Sequence, residues 1–417
     1  MKYGLIGERL SHSFSAQIHQ QLFDYSYELK EIPPTELHAF LTEKDFCAVN
    51  VTIPYKETVL SYLDVVDEVA LQIGAVNTIV NRDGRLYGYN TDFDGLLALI
   101  EHSKIGVAGK KMLILGSGGT SKTAMAVVQK LGCASMHRVS RSAREGCISY
   151  EQAVKTHSDA QILINTTPCG MFPHGGESAV DISLFPCLEG VVDVVYNPLR
   201  TKLVCDASRL NIPAVGGLYM LVAQAARAAE HFVGKKVPRE RIETIFRKLK
   251  SDKENIVLVG MPGCGKSTVG ESLAQLMGRE LIDTDTRIVE EMGCSIPELF
   301  RRIGEIGFRD TETAIIRNIA ALQGKVIATG GGAVLRPENV ALLKENGRVY
   351  FLDRSLSLLT ATSDRPLSST TEALQARYEE RYPIYCGVCD VHMAADGTID
   401  HVVNKIREDF LYEHFGD

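Results

Sequence analysis

The sequence predicts an α/β protein of two or three domains, and three observations carry that prediction. Apolar runs alternate with amphipathic, helix-patterned stretches nearly throughout the 417 residues, the pattern of βαβ units and parallel sheets. Two of those runs lead directly into glycine-rich turns: Lys111 to Leu115 into GSGGTSKT (Gly116 to Thr123), and Asn255 to Val259 into GMPGCGKST (Gly260 to Thr268). The length also exceeds one ordinary core, at roughly 100–200 residues per domain.

Composition narrows the class. A hydrophobic content of 45% with 23% charged residues is that of a globular protein. No apolar stretch approaches the ~20 residues that span a bilayer, and MKYGLIGERL meets a charged pair too early for a signal peptide. No membrane partner and a cytoplasmic location are therefore expected. The ten cysteines are scattered singly, apart from Cys386 and Cys389, which fits a reducing compartment. The lone CGVC lacks the second pair that a structural zinc site needs. A net charge of −7 argues against nucleic acid as a partner, so anionic ligands would rely on local loops and placed Arg or Lys.

In chain order, residues 1–103 carry short strand candidates (KYGLIG, CAVNVTI, AVNTIVN, RLYGYN) separated by helical stretches such as Ala16 to Phe23. From Gly109, KKMLILGSGGTSKTAMAVVQKLG reads as strand, tight turn and helix, with further strands at ASMHRVS, AQILINT, GVVDVVY and IPAVGG. Residues 104–216 thus form a doubly wound, Rossmann-type nucleotide domain. The amphipathic helix LYMLVAQAARAAEHFVG then either packs back on the first block or bridges the two, with the helices of 217–249 completing the first domain. Lys248 to Asn255 (KLKSDKEN) has linker composition, placing the linker at 249–254 and a last domain at 255–417.

The first glycine loop sets backbone N–H groups of Gly116, Ser117, Gly118, Gly119 and Thr120 toward an anion. Alone it is also compatible with a plain strand-to-helix turn. The second strand ends at Val139 and continues as SRSAR, with no acid to grip a ribose 2′-hydroxyl. Ser140, Arg141, Ser142 and Arg144 suit a 2′-phosphate, which favours NADP(H) over NAD.

The strings SHSFS, NVTIPYK, GAVNT, GYNTDFDG, the GSGG loop, NTTPCGM (Asn165 to Met171) and GLYMLVAQAARA (from Gly217) together resemble shikimate dehydrogenase over residues 1–250. The resemblance implies an α/β substrate domain beside the Rossmann-type domain. It also implies NADPH-dependent reduction of 3-dehydroshikimate to shikimate, with Lys56 and Asp92 catalytic. Ser13, Ser15, Thr52, Asn77, Tyr196 and Gln224 would join them around the substrate, and Thr166 and Gly217 would contribute to the NADP site. Lys56 as proton donor and Lys56 as orienting cation both remain open. The chain departs from the usual family pattern at Ala16, Thr120 and Ser121.

The second loop satisfies GxxxxGK[ST] in full. Gly260, Gly263, Cys264, Gly265 and Thr268 would cradle the phosphates of ATP, Lys266 would reach the β- and γ-phosphates, and Ser267 would ligate Mg²⁺. The acceptor stays open at this point: a nucleotide, gluconate, shikimate or water. Asp283 and Asp285 lie two apart at a strand end, where one carboxylate can serve the metal and the other accept a hydroxyl proton.

LIDTDTRI, GFRDTE, TGGGA, DRPL and EERYPIY complete a series that resembles shikimate kinase over residues 254–417. The resemblance implies a P-loop, nucleoside-monophosphate-kinase-like α/β domain. Asp285, Arg309, Arg381 and Gly330, Gly331 and Gly332 would bind shikimate, Asp283 would serve Mg²⁺, and Arg365 would close over the phosphates. No basic residue stands between Arg354 and Arg365, where the family usually has one, so weaker lid closure is expected.

Overall fold

Three sheets organise the chain. The computed structural model describes residues 1–10, 14–142, 144–173, 175–359 and 371–415, with residues 371–373 described by their backbone alone. The first sheet comprises β1 (Tyr3–Gly7), β2 (Glu28–Glu31), β3 (Ala48–Val51), β4 (Val65–Val66), β5 (Thr78–Arg82) and β6 (Arg85–Tyr89) in the order β2-β1-β3-β5-β6-β4. It is not wholly parallel, as the alternating pattern had led us to expect: β3 pairs antiparallel with β5, and β5 with β6. The tight turn at Asp83 and Gly84, both at positive φ, connects β5 to β6 as a hairpin where a crossover helix was expected. β2 escaped the sequence reading because its four residues, ELKE, are all exposed and show no alternation.

The second sheet is parallel throughout, with β7 (Lys111–Leu115), β8 (Ser135–Val139), β9 (Cys147–Ile148), β10 (Ile162–Asn165), β11 (Gly190–Asp193) and β12 (Ala214–Val215) ordered β12-β11-β10-β7-β8-β9. The order reverses between β7 and β10, and doubly wound sheets bind ligands outside the strand ends at such a switch point. β7, β10 and β11 are buried apolar runs, as strands covered on both faces must be.

The helix Leu218–Val233 packs on the helices Thr91–Ser103 and Ser15–Leu22 of the first block, and its Tyr219, Met220 and Ala223 share a buried cluster with Met112, Ile114 and Val192 of the second sheet. Its small residues Ala225, Ala226, Ala228 and Ala229 are at most 1% exposed, which permits that close approach.

The third sheet, also parallel, comprises β13 (Asn255–Val259), β14 (Leu281–Asp283), β15 (Val326–Ala328), β16 (Gly347–Asp353) and β17 (Val391–Ala394) in the order β14-β15-β13-β16-β17. The polar stretch before β13 is not an irregular linker. The helix Arg239–Lys253 runs through it, because Ile245 and Leu249 recur one turn apart and are buried to 1% and 0% exposure. Burying each contributes about 1.5–3 kcal/mol. Spatially the chain divides into two units. One holds Met1–Gly170, Glu177–Tyr196 and Asp206–Phe246; the other holds Met171–Gly176, Asn197–Cys205 and Arg247–Asp417.

Candidate active sites

In the first unit, Lys56 follows β3 and Asp92 opens the helix Thr91–Ser103, whose N-cap Asn90 accepts from the Phe93 N–H. Lys56 Nζ donates to Asp92 Oδ2 at 2.6 Å, and the two side chains remain 25% and 15% exposed. The helix N-terminus adds its own positive end beside the carboxylate. Asn77 comes from the segment entering β5, and its Oδ1 accepts the Thr91 N–H at 2.7 Å. Gln224, on the helix Leu218–Val233, reaches the same threonine: Thr91 Oγ1 donates to Gln224 Oε1 at 3.4 Å. Thr52 follows β3, Ser15 begins the helix Ser15–Leu22, and Tyr196 stands edge-on to Phe14 with ring centres 5.7 Å apart. Burial raises the Tyr196 phenol above its usual range. Ser13 lies outside the described residues.

The dinucleotide loop is built as its sequence requires. Gly116 has φ 120°, and a Cβ there would stand 2.5 Å from Thr166 Oγ1, itself donating to the Leu115 carbonyl at 2.7 Å. Only glycine fits that turn. Around Gly118 and Gly119, at the start of the helix Gly119–Lys130, a Cβ would meet nothing within 4 Å, leaving their backbone N–H groups open to an anion. Ser140 Oγ approaches Ser117 Oγ at 3.4 Å, which brings the end of β8 to the loop. Arg141, Ser142 and Arg144 follow, all exposed, and Thr120 lies in the helix's first turn. Gly217 caps the helix Leu218–Val233 against the backbone of Val194. These features fit the pyrophosphate and 2′-phosphate of NADP.

In the second unit, the turn Gly260, Gly263, Cys264, Gly265 delivers Lys266 and Ser267 to the start of the helix Lys266–Met277, with Thr268 one residue on. Lys266, 8% exposed, donates to the carbonyls of Gly260 at 2.9 Å and Met261 at 3.0 Å. Ser267 Oγ donates to Asp283 Oδ2 at 2.6 Å, while Asp283 Oδ1 caps the helix Thr284–Met292 through the N–H groups of Asp285 and Thr286. A hydroxyl and a carboxylate oxygen side by side at a phosphate loop are the donors that Mg²⁺ takes from protein when phosphates and water fill its remaining positions.

Gly330, Gly331 and Gly332 gather the remaining residues. A Cβ at Gly330 would stand 2.5 Å from Asp285 Oδ1 and 3.0 Å from Glu312 Oε1. A Cβ at Gly331 would press on Pro262 of the phosphate loop at 2.8 Å, and one at Gly332 would collide with the Arg309 guanidinium. Arg381 Nη1 and the Tyr385 hydroxyl both donate to the Gly331 carbonyl. Two arginines, Arg309 and Arg381, are thus buried at the glycine triplet with Asp285 and Glu312, at 8% and 5% exposure. Arg365 lies outside the described residues, and with it the expected lid.

Glu312 and Tyr385 belong to this site and were not singled out from the sequence. Both stood inside strings read for other residues, GFRDTE and EERYPIY. Burial raises the Glu312 carboxyl above its usual range, opposed by Arg309. Asn50, Thr78 and Thr91 were likewise overlooked within NVT, GAVNT and GYNTD.

These two sites define an α/β oxidoreductase of the dinucleotide-binding class joined on one chain to a P-loop phosphotransferase. The chain belongs to the shikimate dehydrogenase (NADP(+)) family, being 36% identical over 267 residues to that enzyme of Clostridium perfringens, with 60% of this chain and 98% of the relative covered. It carries in addition a shikimate kinase domain, and is a bifunctional enzyme of the shikimate pathway. Family models match the shikimate dehydrogenase substrate binding domain at residues 5–79, the shikimate 5′-dehydrogenase C-terminal domain at 217–244 and shikimate kinase at 262–410. Among solved structures, shikimate dehydrogenase 1 of Peptoclostridium difficile is 36% identical with a TM-score of 0.55, covering 60% of this chain and 98% of that one. The Thermus thermophilus shikimate 5-dehydrogenase in complex with NADP(H) and shikimate is 29% identical with a TM-score of 0.54, covering 60% and 99%. No helix among the described residues is long and apolar enough to cross a membrane.

Proposed function

We propose that the two sites act on consecutive states of one substrate: 3-dehydroshikimate is reduced to shikimate with NADPH, and shikimate is phosphorylated to shikimate 3-phosphate with ATP. The observation that carries the first half is the 2.6 Å contact between Lys56 and Asp92. A ring ketone that gains a hydride becomes an alkoxide and needs a proton. An ammonium already held by a carboxylate can donate that proton and be restored through its partner. Lys56 is the donor and Asp92 its orienting partner, with Ser13, Ser15, Thr52, Asn77, Tyr196 and Gln224 gripping the substrate's carboxylate and hydroxyls. NADPH supplies the hydride. Arg141 and Arg144 hold its 2′-phosphate, so replacing both with alanine lowers the preference for NADP⁺ over NAD⁺.

In the second half ATP, with Mg²⁺, supplies the phosphoryl group. Lys266 and the loop amides would bind the phosphates, with Arg365 closing over them, and Ser267 and Asp283 would hold the metal. Asp285 accepts the proton of the attacking hydroxyl, while Arg309 and Arg381 pair with the substrate carboxylate. Ten cysteines, none of them in a disulfide, support a cytoplasmic location, and the net charge of −7 supports small molecules rather than nucleic acid as ligands.

The test is a pair of assays on the full chain. Lys56→Ala is expected to abolish reduction of 3-dehydroshikimate and leave phosphorylation intact, and Lys266→Ala to do the reverse. Unchanged activity of either variant in its own assay overturns the matching assignment.

A further inference from the structure

Behind the dehydrogenase's candidate substrate residues lies a buried chain of hydrogen bonds that contacts neither nucleotide loop. Tyr27 Oη donates to Asn50 Oδ1 at 2.8 Å, and Asn50 Nδ2 donates to Thr78 Oγ1 at 3.0 Å. Thr78 Oγ1 donates to Asn77 Oδ1 at 3.2 Å, where the Thr91 N–H also arrives. Tyr27 is 7% exposed, Asn50 6%, Asn77 3%, and Thr78 and Thr91 0%. At the far end the Ser15 side chain hydrogen-bonds Tyr27, so the chain runs from one candidate substrate residue to another.

Counting protons shows which end of Asn77 the chain meets, although the Thr78 and Thr91 hydroxyls, 3.2 Å apart, can each donate to the other. Tyr27 and Thr78 each have a single O–H to give, and the second N–H of Asn50 goes to the Asn77 carbonyl at 3.3 Å. Asn77 Oδ1 then faces donors only: the Thr91 N–H at 2.7 Å, the Thr78 hydroxyl at 3.2 Å and the Thr91 hydroxyl at 3.3 Å. A flipped Asn77 would turn its NH₂ group against these donors, leaving the Thr91 N–H unpaired. The hydroxyl of Thr91 stands between Asn77 Oδ1 at 3.3 Å and Gln224 Oε1 at 3.4 Å, and can donate to either.

We propose that Tyr27 and Thr78 are positioning residues of the dehydrogenase, Thr78 holding the amide of Asn77 directly and Tyr27 holding Thr78 through Asn50, so that the N–H donors of Asn77 face a hydroxyl of the substrate. The inference rests on Asn77 contacting substrate, as read above. The two residues touch no substrate themselves. They set which end of Asn77 the substrate meets.

The experiment measures shikimate oxidation with NADP⁺ on the full chain for Tyr27→Phe, Thr78→Val, Thr78→Ser and Asn77→Ala, with kinase activity assayed on the same preparations. Tyr27→Phe removes a single oxygen, and Thr78→Val replaces a hydroxyl by a methyl of similar size. Both are expected to raise the KM for shikimate about tenfold, with kcat and the KM for NADP⁺ within about twofold of the parent. Thr78→Ser restores the hydroxyl and the parent KM, which a requirement for core packing alone would not do. A KM within twofold of the parent for both Tyr27→Phe and Thr78→Val, or Thr78→Ser as impaired as Thr78→Val, overturns the proposal. If Asn77→Ala raises the KM while those two do not, the positioning chain fails and the substrate site stands. If Asn77→Ala leaves the KM unchanged, the substrate reading fails and the chain's role falls with it.

Discussion

Arg309 and Glu312 stand one helical turn apart in the kinase unit and meet at 2.7 Å, with the residues 8% and 1% exposed. The acid neutralises the arginine and fixes its direction, so that a guanidinium can be buried beside Asp285 and Gly332 before any substrate arrives. Breaking a buried pair by removing one partner costs about 3–5 kcal/mol. Glu312→Ala is therefore expected to lower the kinase unit's calorimetric transition and raise its KM for shikimate. A variant that keeps both values shows that Glu305, 3.7 Å from the same arginine, is partner enough.

Ser267 and Asp283 offer a second check. Asp283 does two things at once, accepting from Ser267 and capping a helix, so its removal and its neutralisation should differ. Asp283→Asn keeps an oxygen for the cap and loses metal charge; the expected result is a Mg²⁺ requirement raised roughly 10–100-fold with little change in stability. Titrating Mg²⁺ at saturating ATP measures this, and an unchanged half-saturation point would remove Asp283 from the metal's surroundings.

Gly332 tests the glycine triplet by size alone. Its φ of −102° suits any residue, so an added methyl brings no backbone strain. It would collide with a guanidinium that Glu312 holds in place. Gly332→Ala should raise the KM for shikimate about tenfold while the KM for ATP stays within twofold. Equal rises in both would point to a general loss of fold.

His19 makes the dehydrogenase unit's stability depend on pH. The ring is 1% exposed, stacks on Tyr27 at 3.9 Å and contacts the Tyr25 hydroxyl, and burial lowers its pKa to about 3 from an ordinary 6.5. Between those values the unfolded chain binds a proton that the folded one refuses. Stability is therefore whole above pH 6.5 and falls as pH drops toward 3, by at most about 1.4 kcal/mol per unit. His19→Phe keeps a stacked ring and removes the titration. Calorimetric melting at pH 7.5 and pH 5 should show a smaller drop for the variant than for the parent, and equal drops would exclude His19 as the cause.

What the sequence made legible was what depends on local rules. β7 and β13 begin and end where their apolar runs do, because a buried parallel strand needs apolar side chains on both faces. Gly116 could be recognised because its turn admits no side chain. The hairpin β5–β6 and the exposed β2 were not, since their pairing is set by neighbouring strands rather than by a pattern of their own. The helix through Lys248 to Lys253 was hidden by its polar face, with only Ile245 and Leu249 marking the buried one. Glu312, Thr78 and Thr91 were missed for a different reason. Each is defined by what its side chain meets across the fold, and a motif gives residue types without saying which of them face substrate and which face each other.

The second unit draws on three separated stretches, Met171–Gly176, Asn197–Cys205 and Arg247–Asp417, and so has a history as well as a shape. Synthesis proceeds from the N-terminus, and domains generally fold as they emerge. The first two stretches leave the ribosome before any of the third exists, and must wait for it. All the stretches of the first unit are thus made before residue 247, whereas the second unit then still lacks its longest stretch. A chain divided after residue 246 would give two fragments, neither of which holds the whole of that second unit.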